Sequence, residues 1–270
     1  MVVATCSSRG GHGNFVRCCL FTSHVRQHDT TSTFSAMTWN VAETLDLIEQ
    51  CHGAHMRELA EPSLHSANQR LRFAHYHYNA AADLLTEFSS AAPDAAVLRL
   101  PWSPDQDERA EYSHFRDKVA ANAVACVQSL HAIADLLANG VFHALNLGRF
   151  GKPIKASQID STRALERLDM QAEFRAIAVV LREMLDNASF VHVDALSNQA
   201  KHRSITPIAL NEDVTGLREQ RFELRFSAFN RGDKAFGEAE VRTLLSPAYD
   251  AASHAIVATG IELTRLLKAG

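Results

Sequence analysis

Asp194-Ala195-Leu196-Ser197-Asn198-Gln199-Ala200-Lys201-His202-Arg203 closes a long helical pattern, and beyond it the chain changes period. Upstream, Phe174, Ile177, Leu181, Met184, Ala188, Val191 and Ala195 recur at steps of three and four, which keeps them on one helical face. The same count carries on to Asn198 and His202, so this reading turns both side chains toward the interior of a bundle. A buried amide or imidazole without partners costs about 1–3 kcal/mol, and the stretch therefore needs groups that satisfy it. Downstream, Phe222, Leu224, Phe226 and Ala228 alternate with Arg221, Glu223, Arg225 and Ser227, the period-two signature of a half-buried strand. The decisive stretch is a helix-to-strand junction.

Working back toward the N-terminus, the pattern is helical. Asn40 followed by Glu43 reads as a capping box, and Val41, Leu45, Ile48, His52, His55 and Leu59 carry a first helix to about Ala60. Pro62 then opens a second, with Leu64, Ala67, Leu71, Ala74, Tyr78, Ala81, Leu85 and Phe88 on one face. Pro93, Pro101 and Pro104 make the segment Ser90 to Pro104 a loop. An acidic first turn (Asp105, Asp107, Glu108) starts a third helix that runs through Phe115, Val119, Ala123, Cys126, Leu130, Ile133 and Leu137, with Asn139-Gly140 as a possible bend. A short helix from Ser161 to Leu168 leads into the helix that ends on the opening stretch, which Asp186-Asn187 interrupts at most without shifting its seam. After the strands, Ser246-Pro247 marks a last helix with Tyr249, Ala252, Ile256, Leu263 and Leu267 on its stripe. The expected fold is mainly α: an up-and-down bundle of four to six helices over residues 37–270, with a small β-hairpin at about 204–238.

Composition bounds the rest. With 270 residues, 46% of them hydrophobic, the chain can bury a full core. A net charge of −4 gives no overall basic field, so any nucleic-acid contact rests on a local patch. No run approaches 18 consecutive apolar residues, which argues against a membrane span and for a soluble protein. Cys6, Cys18, Cys19, Cys51 and Cys126 are odd in number, and the last two lack metal spacing, which fits a reducing, cytoplasmic setting. The first 36 residues hold Gly10, Gly11, Gly13 and three arginines against the single acid Asp29, with no periodicity; they read as a disordered tail or as an extension upstream of a natural start at Met37.

Three chemistries compete. Glu49/His52 and Glu111/His114 have the Glu-x-x-His spacing of di-iron bundles, yet no seam carboxylate elsewhere completes a set, so neither a metal nor any other cofactor is expected. Arg70/His75, Arg72/His77 and Arg109/His114 place a cation near an imidazole, as ribonucleases do, although 21 Arg and 14 His produce roughly three such pairs by accident. The third is the opening stretch itself. Asp194, Asn198 and His202 share a face edged by Lys201 and Arg203, which fits either a polar anchor for the hairpin or a pocket for phosphate, with the two cations as anion ligands and His202 as donor or base.

Asn198-x-x-Lys201-His202-Arg203, late in a helical pattern and followed by strands and a final helix, resembles a motif of bacterial HEPN-like helical bundles. That resemblance implies nucleotide or RNA binding, in a bacterial defence setting, and a ribonuclease ancestry. The family's catalytic motif of Arg, a polar residue and a later His is not intact here, because no His follows Arg203 at the required distance. The expected ligand-binding set is Asn198, Lys201, His202, Arg203 and Asp194, helped by Arg70 and His77, with His202 as the one catalytic candidate. The alternative is a non-enzymatic interaction module that forms a homodimer through the hairpin or the last helix. In that case His202→Ala is strongly destabilising.

Overall fold

The computed structural model describes residues 15–17, 38–91, 97–218 and 220–270. The reading of residues 1–36 as a tail or a misassigned start lies outside the described residues, apart from Phe15–Arg17 (β1), which pairs antiparallel with Thr38–Asn40 (β2). The described chain is mainly α, with seven helices and a small antiparallel sheet.

Asn40 caps the first helix, Val41–His52 (α1), its Oδ1 accepting from the Glu43 amide at 3.3 Å. The helix stops eight residues before the expected Ala60, because Gly53 takes a φ of 87° that breaks the ladder. Ala54–Ala91 (α2) therefore begins there and carries Pro62 in its interior rather than at its start. Loss of one backbone donor at Pro62 is offset by the packed row of Ala60, Leu64 and Ala67, all 0% exposed. Within the expected loop, Val97–Trp102 winds as a 3-10 helix.

Gln106–Ala144 (α3) starts under the Asp105 cap and passes Asn139-Gly140 without a break. The glycine admits a close neighbour instead: a Cβ at Gly140 would lie 2.5 Å from Leu64 Cδ2, and Ser63 Oγ donates to Asn139 Oδ1 at 2.9 Å. By length and composition α3 is apolar enough to cross a membrane, and here it packs along α2. Ser161–Leu168 (α4) follows where expected, capped by Asp160.

The long helix before the strands is two helices, Arg175–Asp186 (α5) and Ala188–His202 (α6), and this split supplies the seventh helix. Asn187 leaves helical geometry (φ −59°, ψ 125°) and its Oδ1 accepts from the amides of Ser189 and Phe190. The restart rephases the seam, correcting the expectation that it runs straight across. Ile177, Leu181 and Met184 are buried on α5, but on α6 the buried residues are Phe190, Val193, Ala195, Leu196 and Ser197. Ala188 and His202 are exposed and Asn198 is half-buried.

The expected single hairpin is two antiparallel units. Ile208–Glu212 (β3) pairs with Phe222–Phe226 (β4), and β4 pairs with the two-residue strand Ala239–Glu240 (β7). Between β4 and β7, Phe229–Arg231 (β5) and Lys234–Phe236 (β6) form a separate ribbon turned at Gly232, whose φ is 60°. Alternation in β4 sends Phe222, Leu224 and Phe226 inward; Phe222 meets the Phe88 ring of α2, which stacks on Phe115 of α3 at 4.0 Å.

Val241–Ala269 (α7) starts five residues before Ser246, because the Glu240 carboxylate accepts from the amides of Arg242 and Thr243; Pro247 is interior. It packs against α1, α2, α3, α5 and α6, so its apolar stripe is spent inside the chain. At its centre the indole of Trp39, 1% exposed, lies on Gly260, where a Cβ would fall 2.0 Å from the ring. The indole N–H donates to Thr44 Oγ1 at 2.7 Å, and that hydroxyl is 2.7 Å from Thr264 Oγ1. Trp39 thus joins β2, α1 and α7. Gly260→Ala forces the indole to move and is expected to destabilise the fold by about 1–3 kcal/mol, the cost of overpacking. Thermal unfolding reads this as a lower Tm; an unchanged or higher Tm refutes the packing described.

Candidate functional site

The face of α6 expected to hold a ligand is occupied by the protein itself. Asp194 is its hub. His131 Nδ1, from α3, lies 3.1 Å from Asp194 Oδ1, Asn198 Nδ2 donates to the same oxygen at 2.9 Å, and Arg231 Nη1, from β5, donates to Oδ2 at 2.5 Å. Asn198 Nδ2 also reaches the Asp194 carbonyl at 2.9 Å. Burial pushes the Asp194 carboxyl up, but the hydrogen bonds from His131 and Arg231 and their charge outweigh it, and its pKa lies below the ordinary 3.8. A three-element clamp results: α3, α6 and the β5–β6 ribbon meet on one carboxylate.

Two residues earlier, His192 extends the clamp by packing. Its ring centroid lies 5.8 Å from Phe229 and 5.2 Å from Phe236, two rings that stack on each other across the ribbon at 5.1 Å. Burial, and then the charge of Lys234, push the His192 pKa down, which favours the neutral ring. His192 and Asp194 therefore serve different parts of one ribbon.

The remaining expected residues separate into two groups. Lys201, His202 and Arg203 end α6 in solvent, and their side chains make no hydrogen bond or ion pair with the described residues. The interior position expected for His202 is corrected by the rephasing at Asn187. Two cations in the last turn also suit the negative end of the helix dipole. Arg70 and His77 do not join this group. They stand on α2, whose principal packing partners are α1, α3 and α7; Arg70 is exposed, and His77 Nδ1 lies 3.0 Å from Asn122 Oδ1 on α3. Of the Arg/His pairs, His75 instead faces Tyr249 at 5.9 Å and His114 is exposed. Among the described residues no three His, Cys, Asp or Glu side chains converge as a metal site, and neither Glu49/His52 nor Glu111/His114 gains further ligands. Cys126 is buried and its thiol is pushed up to about 12, so it stays protonated and inert.

Sequence reading missed His131 and Arg231. Nothing in the spacing of either residue ties it to Asp194, since one is 63 positions upstream and the other 37 downstream. Only an acceptor with no cation at i ± 4 signals that a distant donor is required.

No family model matches the chain, and no curated protein or solved structure matches it either.

The clamp has a pH signature. A carboxyl with a depressed folded pKa contributes stability that is complete above its unfolded value and is lost as pH falls through the folded one. Asp194→Asn is therefore expected to lower stability at neutral pH and to flatten the acid limb below about pH 4, where the native chain loses the same contribution and the two curves converge. Urea unfolding at a series of pH values checks this, and an acid limb identical to that of the native chain refutes it. Amide exchange in β5 and β6 is expected to accelerate in the same variant.

Proposed function

We propose that the chain is a non-catalytic nucleotide- or RNA-binding protein, an up-and-down helical bundle of the HEPN-like kind that meets phosphate through Lys201, His202 and Arg203. The observation that carries this reading is the contrast along α6. Asp194 and Asn198 are consumed by the clamp, whereas Lys201, His202 and Arg203 are all exposed and uncommitted among the described residues. The helix dipole accounts for cations in the last turn, but an Arg, a Lys and an imidazole side by side in water also form a set of donors open to an anion. Phosphate is the ligand class that such donors suit, Arg for planar bidentate contact and Lys as a point charge. Catalysis is not part of the reading, because among the described residues His202 has no side-chain partner to orient it as a base.

Exposure of His202 supports this reading over the interaction-module alternative. If the imidazole were structural, removing it would unfold the protein. As a solvent-facing side chain its loss is expected to cost less than about 0.5 kcal/mol. Fluorescence anisotropy with a short labelled RNA, alongside thermal melts, tests the proposal. Binding is expected, with a linear dependence of log K on log salt, and Lys201→Gln/Arg203→Gln is expected to lower the magnitude of that slope by about 0.7 per lost phosphate contact. His202→Ala is expected to weaken binding at an unchanged Tm. No binding of RNA or nucleotide, together with a concentration-dependent dimer, transfers the assignment to the interaction module, whose contact then falls on the strands because α7 is already enclosed.

A further inference from the structure

Two residues beyond Arg203 the chain enters the wall of an open cleft of about 460 Å³, formed by Ile205, Thr206, Pro207 and Ile208 on one side and the first half of α3 on the other. The α3 wall presents Arg109, Ser113, Arg116 and Ala120 at steps of four, three and four, hence as one helical stripe. Three features mark the cleft as a built site. First, Arg109 and Arg116 both line it, against the single carboxylate of Asp117. Second, neither arginine is in an ion pair with the described residues. Arg109 spends one N–H on the Ser103 carbonyl and Arg116 one on the Ile208 carbonyl at 3.3 Å, so each guanidinium is held in place with further donors free. Third, Thr206 is 5% exposed and its Oγ1, buried in the wall, has no hydrogen-bond partner among the described residues. A buried hydroxyl left without a partner is a cost that a bound ligand would remove.

The geometry points to the cleft as the seat of a phosphomonoester, with Arg109 and Arg116 on the phosphate oxygens and the Thr206 hydroxyl, enclosed in the wall, turning about χ1 to donate to one of them. Asp117 then accepts from a ligand hydroxyl, which a sugar provides, and Pro101, Ile205 and Pro207 flank its less polar part. Trp102, next in the chain to Pro101, is 79% exposed, an unusual position for an indole and a suitable platform for a base. The shared chemistry is a terminal phosphate on a sugar, carried either by a free nucleoside monophosphate or by the phosphorylated end of an RNA strand. This deepens, and rests on, the reading that the chain binds nucleotide or RNA. Lys201 and Arg203 would then meet the phosphates beyond the one in the cleft.

Calorimetric titration of the full chain separates the possibilities, using adenosine monophosphate, adenosine, ribose 5-phosphate, inorganic phosphate, and one short RNA with and without a 5′-phosphate. The variants are Thr206→Val, Arg116→Gln and Trp102→Ala. The expected result is binding of the monophosphate and of the 5′-phosphorylated RNA, with adenosine and the 5′-hydroxyl RNA at least about tenfold weaker. Thr206→Val is expected to weaken the phosphorylated ligands about tenfold while its own Tm stays level or rises, since it removes an unpartnered hydroxyl. Arg116→Gln is expected to weaken them further; its Tm is measured in parallel, and Thr206→Val remains the deciding variant if Arg116→Gln is unstable. Trp102→Ala is expected to weaken the nucleotide but not ribose 5-phosphate. RNA that binds equally with and without the terminal phosphate, and is indifferent to Thr206→Val, overturns the cleft and leaves the wider proposal standing. Ribose 5-phosphate binding that depends on Thr206, with no nucleotide or RNA binding, upholds a phosphomonoester site and overturns the nucleotide reading. No binding by any of these ligands overturns both.

Discussion

The Asn187 carboxamide divides what is otherwise one long helix, and the arrangement at the far end of the molecule follows from that division. Capping at Ser189 and Phe190 restarts the helical phase, so the face of α6 that turns inward differs from the one projected from α5. Phe190, Val193 and Leu196 become the core contacts. Asp194 and Asn198 rotate to the boundary, where His131 and Arg231 reach the carboxylate, and His202 rotates out. An uninterrupted helix would place an imidazole in the core and a carboxylate away from its partners. The cap therefore sets both the clamp and the free cationic tip.

Most of the helical architecture was legible because its signals are local. The Asn40, Asp105 and Asp160 caps act on amides two or three residues away, and the seams of α2 and α3 rest on a period that α-geometry enforces. Proline marks a helix start in sequence because it is tolerated there at no cost, yet Pro62 and Pro247 are both interior: at one, a tightly packed row offsets the lost donor, and at the other an earlier Glu240 cap begins the helix. Gly53 broke α1 through a positive φ that no periodicity reveals, and Gly140 did the opposite, filling a helix contact rather than breaking the helix.

The site was legible only in part, for the same physical reason. Residues 194–203 stood out because polar groups interrupted an apolar pattern, a local signal. What each does depends on donors from elements far off in sequence, and on the restart of the helical phase at Asn187. The cleft lined by Arg109, Arg116 and Thr206 was invisible for that reason. Its two walls lie nearly 90 residues apart, and Thr206 is an unremarkable threonine until its hydroxyl is found enclosed.

Glu240 has a double role with a kinetic meaning. Its backbone pairs with Arg225 at the end of β4, while its side chain caps α7. The edge of the sheet and the first turn of the central helix are therefore a single residue's conformation. Opening of the β3–β4–β7 sheet cannot proceed past its last rung without fraying α7, and α7 is the element around which five other helices are laid. The small β region, which by strand length alone would come apart on its own, is in this way coupled to the global unfolding transition.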